Sequence, residues 1–206
     1  ALAREGKAIV HIDGGVHSTE VATAQHTMQL AYDLLTGTDD LEIQAILDNV
    51  IFMLWPTLNP DGQNMVAAWY QSNVATPYEI APLTALYQKY VGHDNNRDAY
   101  MLNMIESRVI ARTLQYWEPQ IVYTQHQTSP FPTRIWLPPF AEPIGLRVHP
   151  LMSRTVNTIG MLMAQGLEER GQIGATHMGT GYDAWYPGYV DYLPMLQNRA
   201  SFWTET

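Results

Sequence analysis

Short apolar, β-branched runs alternate with stretches of helical periodicity along the first part of the chain. The run at residues 8–12 leads into an Asp-Gly-Gly sequence at 13–15, where two glycines permit a sharp turn. Apolar residues recur with a helical period over residues 21–35 and, more briefly, over 41–47. The continuous apolar run Val50–Trp55 predicts a strand buried on both faces. Strand, helix and strand in this order predict a βαβ-type unit in a largely parallel or mixed sheet.

Regular elements are predicted less often in the rest of the chain. Residues 63–89 are irregular, aromatic and interrupted by two prolines, which favours a long loop with little regular structure. An amphipathic helix with an apolar face beginning at Met101 is expected next, followed by a strand over residues 120–125. Residues 128–150 contain six prolines and predict an ordered surface loop. Helical periodicity returns over residues 151–170.

Composition limits the classes of protein to which the chain can belong. With 206 residues and 46% hydrophobic composition, we expect one globular domain over residues 1–206. The net charge of −9 argues against nucleic acid or an anionic membrane as the main partner, and no apolar run is long enough to span a bilayer. Cysteine is absent, which excludes disulfides, thiolate zinc sites and cysteine nucleophiles.

Candidate metal ligands follow the first predicted turn. His17 and Glu20 are three residues apart and are expected to face the same way. An imidazole and a carboxylate at the carboxyl end of a strand suit Zn²⁺ and supply two of the three ligands needed. In the alternative interpretation, Ser18 or Thr19 caps the following helix, Glu20 favours the positive end of its dipole, and His17 is an ordinary loop residue.

Other polar groups follow the later predicted elements. The sequence Asn-Pro-Asp-Gly at 59–62 has the chemistry of a β-turn. A polar cluster at 92–98 contains Asn96 and Arg97; its alternative reading is a solvated loop in which Asp98 caps the next helix.

Two further candidates stand at strand ends. His126 follows the strand at 120–125, at the edge where open α/β sheets gather their ligand-binding groups. A last predicted strand over residues 200–204 delivers Glu205.

The order and surroundings of these residues resemble the zinc metallocarboxypeptidases of the carboxypeptidase A/B type. Five motifs follow the order of that family: the H-x-x-E pair, the Asn-Pro-Asp-Gly turn, the Asn-Arg pair, a distant histidine after a strand and a late glutamate after threonine. The resemblance covers nearly the whole chain. It implies an α/β fold, a three-layer α/β/α sandwich around a mixed, mostly parallel twisted sheet, and secretion or a periplasmic location. The chain begins at Ala1 without methionine, and we expect it to be a piece of a longer protein.

The resemblance also implies a role for each group. Zn²⁺ would be held by His17, Glu20 and His126, the ligand set of which carboxypeptidase A is a standard example. Glu205 would act as general base and acid, and Arg97 with Asn96 would hold the terminal carboxylate of a peptide substrate.

The chain departs from the family pattern in one respect. The family has an arginine about a dozen residues after the Asn-Pro-Asp-Gly turn, whereas this chain has none between Arg4 and Arg97. Arg134 or a tyrosine is therefore a candidate oxyanion donor. Tyr182 and Tyr186 flank the position of a mobile tyrosine of the family.

The remaining charged residues receive simpler interpretations. Asp13 and Asp94 are candidates for orienting His17 or Arg97. The other five histidines are interpreted as structural: His11, His26, His93, His149 and His177.

Side-chain preference is left open by the sequence. The loop over residues 179–196 contains no lysine or arginine, which argues against an acidic terminal residue of the substrate. Asp183 and Asp191 in this loop leave a preference for a basic one open.

Three functions are compatible with these residues. The first is a zinc-dependent carboxypeptidase acting on peptides. The second is an amidohydrolase on the same scaffold, acting on cell-wall peptides or N-acyl amino acids. The third is a zinc or peptide-binding module with impaired turnover, which the missing arginine suggests. The sequence does not indicate an oligomeric state.

Overall fold

Six strands form one mixed sheet in the computed structural model, which describes residues 2–88, 90–128, 131–142, 144–179 and 181–206. The strands are β1 Ala8–Asp13, β2 Val50–Trp55, β3 Ile121–His126, β4 Ile135–Trp136, β5 Ala175–Thr176 and β6 Ala200–Glu205. Their order across the sheet is β2-β1-β3-β6-β4-β5. The four long strands are parallel, and β4 runs antiparallel to β6.

Helices cover both faces of this sheet. They are α1 Leu2–Glu5, α2 Val21–Thr36, α3 Leu41–Asn49, α4 Pro60–Asn73, α5 Ile105–Trp117 and α6 Pro150–Glu169, with 3₁₀ turns at Asn95–Arg97 and Leu193–Gln197. Val122 of β3 packs in one cluster with Ile110 of α5, whereas its neighbour Tyr123 packs against a second cluster that contains Val156 of α6. Because adjacent residues of a strand point to opposite faces, α5 and α6 lie on opposite sides. The predicted α/β/α sandwich is confirmed.

The register of the parallel strands brings their carboxyl ends to one edge of the sheet. His126 at the end of β3 lies beside Glu205 at the end of β6. The turn after β1 needs its glycines, because a Cβ on Gly14 would lie 2.8 Å from the carbonyl oxygen of Thr23 and Gly15 has a φ of +67°. Among the described residues, no helix is long and apolar enough to cross a membrane.

The loop predicted for residues 63–89 is wrong over its first part, which belongs to α4. Asn59 caps this helix by accepting a hydrogen bond from the N–H of Gly62, and Pro60 occupies its first turn. Asparagine followed by proline suits a helix start as well as a β-turn, so the local chemistry does not separate the two. Residue 89 lies outside the described part of the chain.

β2 is an edge strand rather than a strand buried on both faces. It pairs only with β1 in the described sheet, and Ile51 is 42% exposed. An apolar run indicates a strand but does not give its position in the sheet.

The proline-rich segment predicted as a surface loop contributes to the core instead. It contains β4, and Trp136, Leu137 and Phe140 are at most 2% exposed. The ring of Phe140 stacks on Trp203 of β6, with ring centroids 4.3 Å apart. Proline excludes a regular helix but does not prevent the apolar residues between prolines from being buried. Residues 129, 130 and 143 of this segment lie outside the described part.

Candidate metal centre and active site

His17 and Glu20 lie in the turn between β1 and α2, and His126 ends β3. Nδ1 of His17 lies 2.8 Å from Oε1 of Glu20, and Nδ1 of His126 lies 3.0 Å from Oε2 of the same carboxylate. The two imidazole centroids are 4.9 Å apart. One ligand atom from each of the three residues lies within 4.8 Å of the others. The structure therefore brings the three predicted zinc ligands together.

The alternative interpretation accounts for only part of this turn, because Glu20 does stand at the N-terminus of α2, where a negative charge favours the helix dipole. Glu20 is itself the N-cap of α2 and makes no side-chain capping bond. Ser18 donates its hydroxyl hydrogen to the carbonyl oxygen of Asn59. Helix capping therefore does not explain why the side chains of His17 and Glu20 face each other.

A second carboxylate stands behind each imidazole. Nε2 of His17 lies 3.0 Å from Oδ1 of Asp94, and Nε2 of His126 lies 3.0 Å from Oδ2 of Asp191. A carboxylate that accepts the Nε2 hydrogen leaves the lone pair of Nδ1 for a metal ion. Two imidazoles and a carboxylate are a zinc ligand set, so the residues present fit this metal.

The electrostatics of the centre favour a positive charge. Burial would lower the pKa of His17, but hydrogen bonds to Asp94 and Glu20 raise it to about 9. Burial likewise opposes the charge of His126, yet Asp191 and Glu20 raise its pKa well above the usual value. Burial would raise the pKa of Glu20, but the two histidines lower it to about 2. Three carboxylates around two imidazoles thus form a centre that attracts a cation.

Asp191 contacts the candidate metal centre, which the sequence analysis did not predict. It is 2% exposed, and its Oδ2 also accepts a hydrogen bond of 3.1 Å from Nδ2 of Asn96. Oδ1 of Asn96 accepts a bond of 2.7 Å from the N–H of Val190. Both ends of the Asn96 side chain therefore have partners within the protein, and Asn96 also lines the cavity that contains Glu205, so its contact with a substrate stays a prediction.

Of the two predicted supporting carboxylates, Asp94 contacts the centre and Asp13 does not contact His17. Oδ1 of Asp94 accepts a bond from the N–H of Asn96 as well as from His17, and its Oδ2 lies 3.6 Å from Arg97. Asp13 bonds instead to His11 and Thr124. Asp98 does not cap α5, whose N-cap is Met104.

Glu205 faces the same cavity as the candidate metal ligands. The cavity has a volume of about 240 Å³, and its other lining residues include Arg97, Thr128 and Tyr182. Oε2 of Glu205 accepts hydrogen bonds of 2.9 Å from the N–H of Thr128 and 2.6 Å from its hydroxyl. Burial raises the pKa of Glu205 above its usual value.

Arg97 lies on the wall of this cavity beside an aromatic ring. Its guanidinium carbon stands 4.5 Å from the ring centroid of Tyr189, and one of its nitrogens donates to the carbonyl oxygen of Asn96. The hydroxyl of Tyr189 donates a bond of 3.0 Å to Oδ1 of Asp183. Tyr189 and Asp183 also line the cavity, so the loop before β6 supplies several of its groups.

Three other predicted site residues differ in their placement. Tyr182 lines the cavity and donates its hydroxyl hydrogen to the carbonyl oxygen of Thr128. Tyr186 packs edge-on against Tyr100 and is not among the described lining residues. Arg134 packs near Gly174 and is likewise outside the cavity lining. The structure therefore does not bring Arg134 into the described cavity lining, whereas Tyr186 packs edge-on against Tyr189, which belongs to that lining.

The five histidines interpreted as structural are also absent from the described lining of the cavity. His11 is 1% exposed and pairs with Asp13. His93 pairs with the buried carboxylate of Asp98 at 2.9 Å.

Comparisons with known proteins agree with this fold. The zinc carboxypeptidase family model matches residues 1–128, and the chain belongs to that family. This range includes the three candidate ligands, the Asn-Pro-Asp-Gly sequence and Arg97. The family resemblance drawn from the sequence is confirmed. No curated protein sequence matches the chain.

Solved structures of similar fold are metallocarboxypeptidases or related proteins. Thrombin activatable fibrinolysis inhibitor matches with a TM-score of 0.68 and 16% identity, over 97% of this chain and 54% of that chain. A metallo-carboxypeptidase from Burkholderia cenocepacia matches with a TM-score of 0.67 and 13% identity, over 97% of this chain and 48% of that chain. Carboxypeptidase A from Helicoverpa armigera matches with a TM-score of 0.61 and 16% identity, over 97% of this chain and 51% of that chain. The chain spans about half the length of these three proteins.

Proposed function

We propose that residues 1–206 belong to the catalytic domain of a zinc-dependent metallocarboxypeptidase that hydrolyses the C-terminal peptide bond of peptides. The observation that carries this proposal is the convergence of His17, Glu20 and His126 within 4.8 Å, beside a cavity that also contains Glu205 and Arg97. Membership of the zinc carboxypeptidase family supports the same chemistry.

His17, His126 and Glu20 would hold Zn²⁺, with Nδ1 of each imidazole and the carboxylate turned toward one another. Asp94 and Asp191 accept hydrogen bonds from the Nε2–H groups of the two imidazoles. They thereby fix the tautomer in which the Nδ1 lone pair is available to a metal ion. Zinc, when bound, lowers the pKa of a water molecule and polarises the scissile carbonyl.

Glu205 moves the proton. Its carboxylate takes a proton from the attacking water and returns it to the leaving amine as the C–N bond breaks. The two hydrogen bonds from Thr128 to Oε2 hold the carboxylate in a fixed orientation. General catalysis of this kind contributes roughly 10²- to 10⁴-fold to a rate.

Arg97 restricts cleavage to the end of the chain. Its guanidinium binds the terminal carboxylate of the substrate through charge-assisted hydrogen bonds. The side chain is 40% exposed, and its guanidinium lies over the ring of Tyr189.

The metal site is tested by elemental analysis of the purified protein and of single variants. We expect about one zinc per chain in the native protein and large losses in His17→Ala and His126→Ala. His149→Ala, a histidine at the start of α6 outside the site, is the matched control and should keep its zinc. Equal zinc in all four proteins would contradict the assigned ligands.

The catalytic role of Glu205 is tested separately. Glu205→Gln should keep its zinc while losing about 10²-fold or more of its turnover on peptides. Product analysis must show release of single C-terminal amino acids. Release of an acyl group or a γ-linked amino acid instead would identify an amidohydrolase, and unchanged turnover in Glu205→Gln would refute the assignment of the base.

A further inference from the structure

We infer that a second cavity, lined by α5 and the 3₁₀ turn at Leu193–Gln197, is a binding site for a neutral, largely apolar small molecule that carries one hydrogen-bond donor. The cavity has a volume of about 490 Å³, compared with about 240 Å³ for the cavity beside the candidate metal ligands. A volume of this size is typical of small-molecule sites. The two cavities share no described lining residue, so the inference does not depend on the proposed carboxypeptidase function.

The inner wall of this second cavity is apolar. It is formed by Val16, Leu58, Ile110, Leu114 and Val190, which belong to one cluster of buried residues and are at most 8% exposed. A cavity with such a wall holds water poorly and takes up apolar molecules. The body of a bound molecule must therefore be apolar.

One buried polar side chain in the lining lacks a partner for one of its atoms. Asn95 is 8% exposed and lines the second cavity. Its Nδ2 donates a hydrogen bond to the carbonyl oxygen of Val16, whereas its Oδ1 has no hydrogen-bond partner among the described residues. Exchanging the two amide atoms would set Oδ1 against that carbonyl oxygen, so the orientation of the amide is fixed. A buried acceptor without a donor is unfavourable, and a ligand with one N–H or O–H group supplies that donor.

The charged groups of the lining do not favour an ionised ligand. Arg199 is the one lysine or arginine in the described lining, and its guanidinium already donates two hydrogen bonds within the protein. Of the two carboxylates in that lining, Glu106 accepts the hydroxyl hydrogen of Tyr90 and Glu118 is exposed. An ion bound against the apolar wall would lose its hydration without gaining a partner there. A neutral ligand is therefore favoured.

The test uses indole and benzofuran, two bicyclic molecules of similar size of which only indole has an N–H donor. Calorimetry with the purified protein should give a Kd for indole about tenfold lower than that for benzofuran. Ala111→Phe, which adds a ring to the cavity from α5, should abolish the binding of both. The matched control is Val109→Phe, at an exposed position of α5 outside the described lining, which should bind both probes as the native protein does.

Hydrogen–deuterium exchange locates the bound indole. In the native protein, indole should slow the exchange of backbone amides within residues 105–117 and 190–199, and this measurement decides the location even if Ala111→Phe does not fold. Equal Kd values for the two probes would overturn the role of Asn95. Absence of binding, undiminished binding by a folded Ala111→Phe, or slowed exchange confined to residues 181–189 beside the other cavity would overturn the site itself.

Discussion

Replacing Asp191 by asparagine should weaken zinc binding without touching a metal ligand. Asp191 accepts the Nε2 hydrogen of His126 at 3.0 Å, in a position where both side chains are at most 3% exposed. Asparagine has nearly the same shape and an oxygen that can accept this hydrogen, but it carries no charge. The substitution therefore isolates the electrostatic support of the imidazole from its packing.

The size of the effect follows from this single contact. A hydrogen bond to a charged group contributes about 1 kcal/mol more than one between neutral groups, and 1.4 kcal/mol corresponds to about a tenfold change in Kd. Loss of a carboxylate that supports a metal-binding histidine costs about 10- to 100-fold in metal affinity. We therefore expect a Kd for zinc about tenfold higher in Asp191→Asn.

Competition with a chromophoric chelator measures this Kd in the native protein and the variant. Asp39→Asn, at an exposed position between α2 and α3, makes the same change of charge far from the site and should have the native Kd. Urea unfolding of the metal-free proteins checks that the variant is folded. A Kd for Asp191→Asn within twofold of the native value would refute the argument that Asp191 supports His126.

Two further predictions concern stability. Gly62→Ala should destabilise the protein by about 1–3 kcal/mol although alanine favours helices, because the added Cβ would meet the side chains of Ser18 and Asn59. The control is Gly166→Ala in α6, where only a flexible arginine end lies nearby, and it should be neutral or stabilising by up to about 1 kcal/mol. Urea unfolding measures the free energy of unfolding of both variants. Burial would raise the pKa of Asp98, but hydrogen bonds from the N–H of Met104 and other donors lower it. The ionised form therefore contributes stability that is complete above the unfolded pKa of about 3.9 and is lost as the pH falls through the lower folded value. The unfolding free energy of the native protein minus that of Asp98→Asn should shrink below about pH 4; a difference independent of pH down to 3 would contradict the ionised hydrogen-bonded state.

Much of the fold could be predicted because local patterns determine it. The four long strands and helices α2, α5 and α6 appear in the sequence as β-branched runs and helical periods, since burial of one face requires those patterns. The same patterns did not reveal α4, whose Asn-Pro start has the chemistry of a turn, or β4, which has only two residues. The exposure of β2 depends on which strands lie beside it, and its position in the sheet cannot be predicted from its own six residues.

The sequence by itself determined the family and the identities of the candidate metal ligands, because His17, Glu20 and His126 each follow an element with a recognisable local pattern. Only the tertiary structure decided how the remaining polar residues are used. Asp183 and Asp191 lie in one loop and are indistinguishable by sequence, yet Asp191 accepts a hydrogen bond from His126, whereas Asp183 accepts one from Tyr189. The reason is physical: hydrogen bonds between residues 65 positions apart in the chain depend on the packing of the sheet, which no short window of sequence contains.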